Sequence, residues 1–198
     1  MTFGGLPTRW EPDGPSRGLA LVLPGRAYSP SAPLLELARQ VLLQHGFTVQ
    51  QVWWDAAART DAELAEPEPW VRRQVESALA SESSDPVLLV AKSLGTHAAS
   101  YAAERGIDSI WLTPLLVVPE QAGAIAANEG RQLLVGGLAD ELWDARVAAE
   151  LAETGCDVLE VADADHGMAT SDAVRTAEIL VEVARATDAF VRSLDRDR

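Results

Sequence analysis

Cysteine, histidine and basic residues are all scarce in this chain of 198 residues. Because Cys156 is the single cysteine, no disulfide can form within the chain, which suits the reducing cytoplasm. Three histidines and one cysteine provide no cluster with the ligand types and spacing of a metal site. These absences predict a cytoplasmic protein without a bound metal.

Acidic residues outnumber basic ones by 30 to 16, which gives a formal net charge of −14 at pH 7. Bulk charge of this sign repels polyanions, so we expect no binding to nucleic acid or to an anionic membrane. No apolar run is long enough to cross a bilayer, and residues 1–15 contain no basic region followed by an apolar run. We therefore expect neither a membrane span nor a secretory signal.

Apolar runs and helical patterns alternate along the chain. We predict strands at 18–24, 47–54, 86–92, 109–113, 131–137 and 157–162, and helices at 31–45, 68–81, 94–105, 119–128, 143–154 and 171–193. The uninterrupted apolar run at 18–24 is typical of a strand that is buried on both faces. The alternation predicts the α/β class, with a mostly parallel central sheet between helices, in a single domain over residues 1–198.

Three segments do not follow this alternation. Residues 1–17 are rich in Gly, Pro and charge, and we predict an edge hairpin or a loose arm there, with a short strand near 8–10. Residues 56–67 are predicted to form a polar loop. The charged residues 195–198 are predicted to form a frayed end.

Ser93 follows one of the apolar runs and lies between two small residues, with Ala91 two positions before it and Gly95 two positions after it. This is the layout of a nucleophile elbow, a sharp strand-to-helix turn that exposes a serine hydroxyl. Small residues are needed because the strand and the helix pass close together at such a turn. The alternative is an ordinary strand-to-helix junction with a helix-capping serine.

Two further polar residues follow predicted strands, as Ser93 does. Asp140 follows the strand before the last, and His166 follows the last strand, so all three should lie near the same sheet edge. Each also has a structural alternative. Asp140 could cap the next helix, with Asp144 and Glu141 as rival acids, and His166 could seal the start of a helix.

The chain resembles the small, cap-less α/β-hydrolases of the dienelactone-hydrolase-like group over nearly its whole length. The resemblance lies in the Pro24-Gly25 turn, the Ser93 elbow, the segment from Gly137 to Trp143, the Asp165-His166-Gly167 turn and the chain order Ser, acid, His. It implies a three-layer α/β-hydrolase fold with no cap domain. It also implies a serine hydrolase that cleaves carboxylic ester or thioester bonds of small substrates through an acyl-enzyme, without a cofactor.

The resemblance assigns a role to each candidate. Ser93 would be the nucleophile, His166 the general base and then the general acid, and Asp140 the group that orients the imidazole. The oxyanion would be held by backbone N–H groups, for which there are three candidates: Leu94, Arg26 and Ala27.

Large apolar residues just after strand ends either line a substrate pocket or pack in the core and rim. They are Tyr28, Trp54, Leu115, Leu116 and Trp143.

Arg26 could steer a substrate carboxylate or pair with acidic neighbours. His97 lies four positions after Ser93 and competes with His166 for the role of base. Because the family places no base there, His97 is predicted to be buried or to support the site indirectly. Lys92 is predicted to point to a neighbouring loop. The segment after the strand at 109–113 is too short for a lid, which predicts an open site for short-chain or exposed esters.

Other functions remain open on the sequence alone. A non-catalytic scaffold of the same fold could bind a ligand or a partner, and a peptidase or amidase would use the same three residues. Neither the physiological substrate nor the oligomeric state can be read from the sequence. A small-molecule ester is the predicted substrate.

Overall fold

The computed structural model describes residues 2–3, 6–82 and 86–194, with side chains from Thr8 onward. The strands are β1 (Thr2–Phe3), β2 (Leu6–Pro7), β3 (Arg9–Trp10), β4 (Leu19–Leu23), β5 (Thr48–Gln51), β6 (Leu88–Lys92), β7 (Asp108–Leu112), β8 (Gln132–Gly137) and β9 (Asp157–Val161). The α-helices are α1 (Pro33–Gln44), α2 (Asp61–Ala65), α3 (Pro67–Leu79), α4 (Ala99–Ala103), α5 (Pro119–Ala127), α6 (Ala145–Glu153) and α7 (Ala173–Ser193). Short 3₁₀ helices span Ala56–Ala58 and Ser93–Ala98.

Seven strands form one sheet in the order β3-β5-β4-β6-β7-β8-β9. At one edge β3 pairs with β5 in the antiparallel direction, while all other neighbours in this sheet are parallel. A separate antiparallel pair is formed by β1 and β2. The prediction of a mostly parallel α/β sheet is confirmed.

Two apolar layers cover the sheet, one on each face. In β4, Ala20 and Val22 pack into the layer that contains α1 and α7, whereas Leu21 and Leu23 pack into the layer that contains α3, α5 and α6. Successive side chains of a strand point to opposite faces, so a strand between two layers needs an uninterrupted apolar sequence. The predicted arrangement of helices on both faces is confirmed.

The prediction of a polar loop at 56–67 is wrong, because this segment contains a 3₁₀ turn and α2. Thr60 and Glu63 form a capping box at the start of α2, in which each side chain accepts the backbone N–H of the other residue. No residue of α2 is buried, so no apolar periodicity marks this helix in the sequence. The predicted frayed end at 195–198 lies outside the described residues.

The connection between β7 and α5 leaves the sheet edge uncovered. It comprises only residues 113–118, which are too few to build a cap domain above the sheet. Within the ranges that the structure describes, no helix is both long and apolar enough to cross a bilayer. The loops that leave the carboxyl edge of the sheet therefore form the exposed surface on which the candidate site lies.

Candidate active site

Three predicted polar residues lie where neighbouring parallel strands end. Ser93 directly follows β6, while Asp140 and His166 lie in the loops after β8 and β9. Because β6, β7, β8 and β9 are adjacent and parallel, their carboxyl ends share one edge of the sheet. The topology therefore brings together residues that are up to 73 positions apart in sequence.

His166 joins the other two residues by hydrogen bonds. Its Nδ1 lies 2.7 Å from Asp140 Oδ2, and its Nε2 lies 2.7 Å from Ser93 Oγ. An ionised carboxylate only accepts, so Nδ1–H donates to Asp140 and the Nε2 lone pair accepts the hydroxyl proton of Ser93. The Asp140 side chain is only 1% exposed, and its Oδ1 accepts the backbone N–H of Leu142 at 2.9 Å. In this arrangement the imidazole can accept the hydroxyl proton of Ser93.

Ser93 has the strained backbone of a nucleophile elbow. Its φ is 50°, in the left-handed region that residues with a Cβ adopt only at an energetic cost. Ala91 is fully buried on one side of the turn. On the other side, a Cβ added to Gly95 would lie 2.8 Å from the carbonyl oxygen of Pro24 and 2.9 Å from Leu23 Cβ. Close packing against Leu23 and Pro24 therefore requires the glycine two positions after the serine, and the alanine two positions before it is enclosed in the core.

This packing predicts that Gly95→Ala lowers the free energy of unfolding by about 1–3 kcal/mol, since the new methyl group meets rigid backbone. The matched control is Gly123→Ala in α5, where an added Cβ meets nothing within 4 Å. Alanine favours a helix over glycine, so the control should raise stability by about 0.5–1 kcal/mol. Urea unfolding measures both changes, and a Gly95→Ala protein as stable as the parent would contradict the close packing.

The rival acids of the sequence prediction have other partners. Asp144 caps α6 by accepting the backbone N–H groups of Arg146 and Val147, and Glu141 is exposed. In the loop of His166, Asp165 Oδ1 accepts the N–H of Gly167 at 2.7 Å and thereby closes the turn. Asp140 is therefore the carboxylate that contacts the imidazole.

The other two histidines point elsewhere. The ring of His97 contacts the amide nitrogen of Gln121 at 2.9 Å, and Gln121 Oε1 accepts the hydroxyl of Thr96. Burial lowers the pKa of His97 to about 4, so its ring is neutral at pH 7. His45, at the C-terminal end of α1, contacts Asp188 of α7 through Nε2 at 2.8 Å. Among the described residues, His166 is thus the histidine that reaches Ser93.

Two main-chain segments meet beside the Ser93 hydroxyl. Leu94 is the second residue of its 3₁₀ helix, where a backbone N–H has no partner inside the helix. After β4, the N–H of Gly25 donates to the carbonyl of Tyr28 and closes a tight turn. A Cβ on Gly25 would lie 3.5 Å from Ser93 Cβ, so this turn and the elbow are in contact.

A cleft of about 440 Å³ lies in front of Ser93. Its lining consists of Gly25, Arg26, Ala27, Tyr28, Arg59, Lys92, Ser93, Leu94, Leu115, Leu142, His166 and Gly167. This volume lies within the usual range for sites that bind small molecules. No group of three or more His, Cys, Asp or Glu side chains in the described part of the chain is arranged to hold a metal ion.

Comparison with known proteins finds solved structures with a similar fold. No family model and no curated protein matches the sequence. Among solved structures, the chain is similar to Est1E from Butyrivibrio proteoclasticus, with 13% identity, a TM-score of 0.71 and coverage of 93% of this chain and 92% of that one. It is also similar to a putative hydrolase of the alpha/beta superfamily from Xanthomonas campestris pv. campestris, with 23% identity, a TM-score of 0.68 and coverage of 89% and 99%.

A third similar structure is XC6422 from Xanthomonas campestris, described as an a/b serine hydrolase without lid. It shares 19% identity and a TM-score of 0.59, with coverage of 94% of this chain and 87% of that one. The chain has the α/β-hydrolase fold. The absence of a cap over the described residues agrees with the lidless relative, and the predicted fold class is confirmed.

Only part of the predicted pocket lies on the cleft of this α/β-hydrolase fold. Tyr28 and Leu115 line the cleft, whereas Trp54 lines a neighbouring groove and donates its indole N–H to the carbonyl of Gly25. Leu116 and Trp143 belong to the apolar core instead, with 2% and 7% exposure. The Trp143 ring fills the space above Gly136, where any Cβ would clash, and its N–H donates to Glu160.

The sequence analysis missed two lining residues, Arg59 and Leu142. Arg59 lies in the segment that was predicted to be a loop, where no apolar pattern indicated which side chains face the cleft. Leu142 lies within the Gly137–Trp143 segment that carried the family resemblance, two positions after Asp140. The signal for Leu142 was therefore present in the sequence, whereas none marked Arg59.

Positive charge dominates the lining of the cleft, in contrast to the acidic chain as a whole. Arg26, Arg59 and Lys92 line it, together with no Asp or Glu. Arg59 Nε donates to the carbonyl of Ala56, and its guanidinium lies 5.3 Å from the centroid of the Trp70 ring. Within the described residues, neither Arg26 nor Arg59 forms an ion pair. Both guanidinium groups are thus available to an anionic group in the cleft.

Proposed function

We propose that the chain is a serine hydrolase that cleaves carboxylic ester or thioester bonds of small substrates through Ser93, His166 and Asp140. The observation that carries this proposal is the double hydrogen bond of His166, at 2.7 Å to Ser93 Oγ and 2.7 Å to Asp140 Oδ2. The strained φ of Ser93 supports it, because such strain persists where function requires it. The similar structure that is described as a serine hydrolase is consistent with it.

In the first half of the reaction, Ser93 Oγ attacks the carbonyl carbon while His166 Nε2 takes the hydroxyl proton. Asp140 stabilises the resulting imidazolium through Nδ1–H. The negative oxygen of the tetrahedral intermediate accepts hydrogen bonds from the backbone N–H of Leu94 and from the turn at Arg26 and Ala27. The intermediate collapses as His166 returns its proton to the departing alcohol or thiol, which leaves an acyl group on Ser93.

In the second half, water attacks the acyl-Ser93 carbonyl and His166 takes a proton from that water. Collapse of the second tetrahedral intermediate breaks the bond to Ser93 Oγ, which regains its proton from His166. The carboxylic acid product leaves, and the protein returns to its starting state. Every proton is carried by His166, so the scheme requires no cofactor.

The cleft favours small substrates that carry a negative charge. It is open, because residues 113–118 build no lid, and Arg26 and Arg59 offer two guanidinium groups to an anion. Arg59→Gln should therefore lower kcat/KM for 4-acetoxybenzoate by about fivefold, which corresponds to roughly 1 kcal/mol between charges near 4 Å in water. For the neutral analogue 4-acetoxybenzamide, kcat/KM should stay unchanged.

For each ester, kcat/KM of the parent is divided by kcat/KM of the variant. This ratio cancels the difference in reactivity between the two leaving groups. Arg146→Gln is the matched control, because this arginine is 78% exposed on α6, away from the cleft. Added salt should reduce the effect of Arg59→Gln, since the charges are partly exposed. Equal losses on both esters would show that Arg59 supports packing and does not recognise charge.

Pre-steady-state hydrolysis of p-nitrophenyl acetate tests the proposed function. We expect a burst of p-nitrophenol equal to the protein concentration, because this activated ester acylates Ser93 faster than the acetyl-enzyme is hydrolysed. Ser93→Ala should show no burst and no turnover above the buffer reaction. If the parent protein shows no burst and hydrolyses neither this ester nor the corresponding anilide, the hydrolase proposal is refuted. The non-catalytic binding scaffold would then be the remaining hypothesis. Turnover of the anilide at a rate near that of the ester would favour an amidase.

A further inference from the structure

Lys92 is a buried cation directly before Ser93. It is the single lysine of the chain, whose other 15 basic residues are all arginine. Only 2% of Lys92 is exposed. Its Nζ donates to Thr113 Oγ1 at 2.9 Å and to the backbone carbonyl of His166 at 2.9 Å. The third side of the ammonium faces the Tyr28 ring, with 4.7 Å from Nζ to the ring centroid.

Packing alone does not account for a lysine at this position. The preceding residues of β6 are apolar, and alternation along the strand turns Lys92 toward the same layer as Leu88 and Val90. An unbranched apolar residue such as methionine would fill this space without taking a charge out of water. Burial lowers the pKa of Lys92 to about 8, although the negative charges of Asp140 and Asp165 favour its protonated form.

The ammonium links two loops to the end of β6. Thr113 directly follows β7 and has a φ of 45°, and its N–H donates to the carbonyl of Val135. His166 lies in the loop after β9. The partners of Lys92 are 21 and 74 positions away in sequence, so this one side chain fixes three separate strand ends relative to each other.

The loop that carries His166 has two kinds of contact. Asp165 fixes its internal shape by accepting N–H groups of Gly167 and Ala169. Other bonds tie it to its neighbours. The carbonyl of Ala164 accepts the N–H of Ala139, which connects it to the loop of Asp140. The bond from Lys92 to the carbonyl of His166 connects it to the strand that ends at Ser93.

We propose that Lys92 is a positioning residue, which holds the main chain of His166 so that the imidazole reaches Ser93 and Asp140 at the same time. The expected loss of rate on replacing Lys92 rests on the proposed function. The expected shift of the His166 ring does not. Without the ammonium, the carbonyl of His166 loses its donor and the loop moves to find another. A displacement of about 1 Å at a reacting group lowers rates by about 100-fold.

The test compares Lys92→Met with the parent by three measurements. Lys92→Met should lower kcat for p-nitrophenyl acetate about 100-fold and change KM by less than about threefold, since this neutral ester carries no charge for the ammonium to bind. The low-field proton NMR signal of His166 Nδ1–H, assigned by its loss in His166→Gln, should broaden or disappear. The melting temperature should stay the same or rise, because methionine avoids burying a charge. Arg146→Met removes an exposed cation as the matched control and should change none of these.

A lysine with a purely structural role gives a different pattern, in which stability falls while the NMR signal and kcat of the folded protein stay at parent values. That pattern, or full activity in Lys92→Met, would overturn the proposal. If the parent hydrolyses nothing but the His166 signal still depends on Lys92, the hydrolase fails and the positioning role stands.

The parent protein provides a test that needs no variant, in case Lys92→Met does not fold. Because Lys92 is the single lysine, [¹⁵N]lysine labelling gives one side-chain signal that can be followed directly. We expect its Nζ protons to exchange with water far more slowly than those of free lysine, because they are buried in hydrogen bonds to Thr113 and His166. Nζ protons that exchange as fast as those of free lysine would overturn the proposal, since no bond from Lys92 would then hold the carbonyl of His166.

Discussion

Replacing Ser93 by glycine should abolish hydrolysis and at the same time make the protein more stable. The loss of the nucleophile should lower kcat by about 10⁶-fold, as removal of a hydrolytic serine does elsewhere. The gain in stability should be about 1 kcal/mol, because glycine adopts the φ of 50° at Ser93 without the cost that a Cβ imposes. Urea unfolding and steady-state kinetics measure the two effects on the same preparation.

Ser93→Ala separates the two causes. Alanine lacks the hydroxyl but keeps the Cβ, so this variant should be as inactive as Ser93→Gly and no more stable than the parent. A glycine variant without added stability would show that the backbone of Ser93 is unstrained. A Ser93→Ala protein that retains activity would mean that another residue is the nucleophile.

Asp140→Asn should lower kcat by about 10⁴-fold while the protein stays folded. An asparagine keeps an oxygen that can accept the N–H of Leu142, as Asp140 Oδ1 does at 2.9 Å. Its amide group, however, no longer offers a negative oxygen to His166 Nδ1. The imidazole then loses the partner that selects its tautomer and stabilises its protonated form. The measurement is kcat on p-nitrophenyl acetate, together with circular dichroism to establish folding.

Asp144→Asn and Glu141→Gln are the matched controls, because both acids lie in the same loop. Asparagine is as good a helix cap as aspartate, so Asp144→Asn preserves the start of α6. Both controls should change kcat by less than about threefold, which is typical of surface substitutions. A larger loss in either control than in Asp140→Asn would assign the acid role to that residue instead.

Much of the fold could be predicted because the residue pattern within each short segment indicates its strand or helix. The uninterrupted apolar sequence of β4 follows from its place between two helical layers, and the helix between successive strands lets them run parallel. The site residues Ser93, Asp140 and His166 were expected at three strand ends, and the structure brings them within hydrogen-bond distance. This was predictable because the carboxyl ends of parallel strands all lie at the same edge of the sheet.

The pocket was harder to predict because position after a strand does not say which way a side chain turns. Leu115 lines the cleft while Leu116, the next residue, is buried in the core. Trp143 turns inward because Gly136 leaves room for its ring. Arg59 reaches the cleft from a segment without apolar periodicity. The contacts of Lys92 depend on residues far away in sequence, which no local pattern reveals.

Reaction with a fluorophosphonate, followed by mass spectrometry of the intact protein and of its peptides, tests the central claim most directly. The claim is that His166, held by Asp140, makes the Ser93 hydroxyl a nucleophile. We predict one adduct per chain, located on Ser93, and a rate that falls by orders of magnitude in His166→Gln. A folded parent protein that stays unmodified, or an adduct on a different residue, would contradict it.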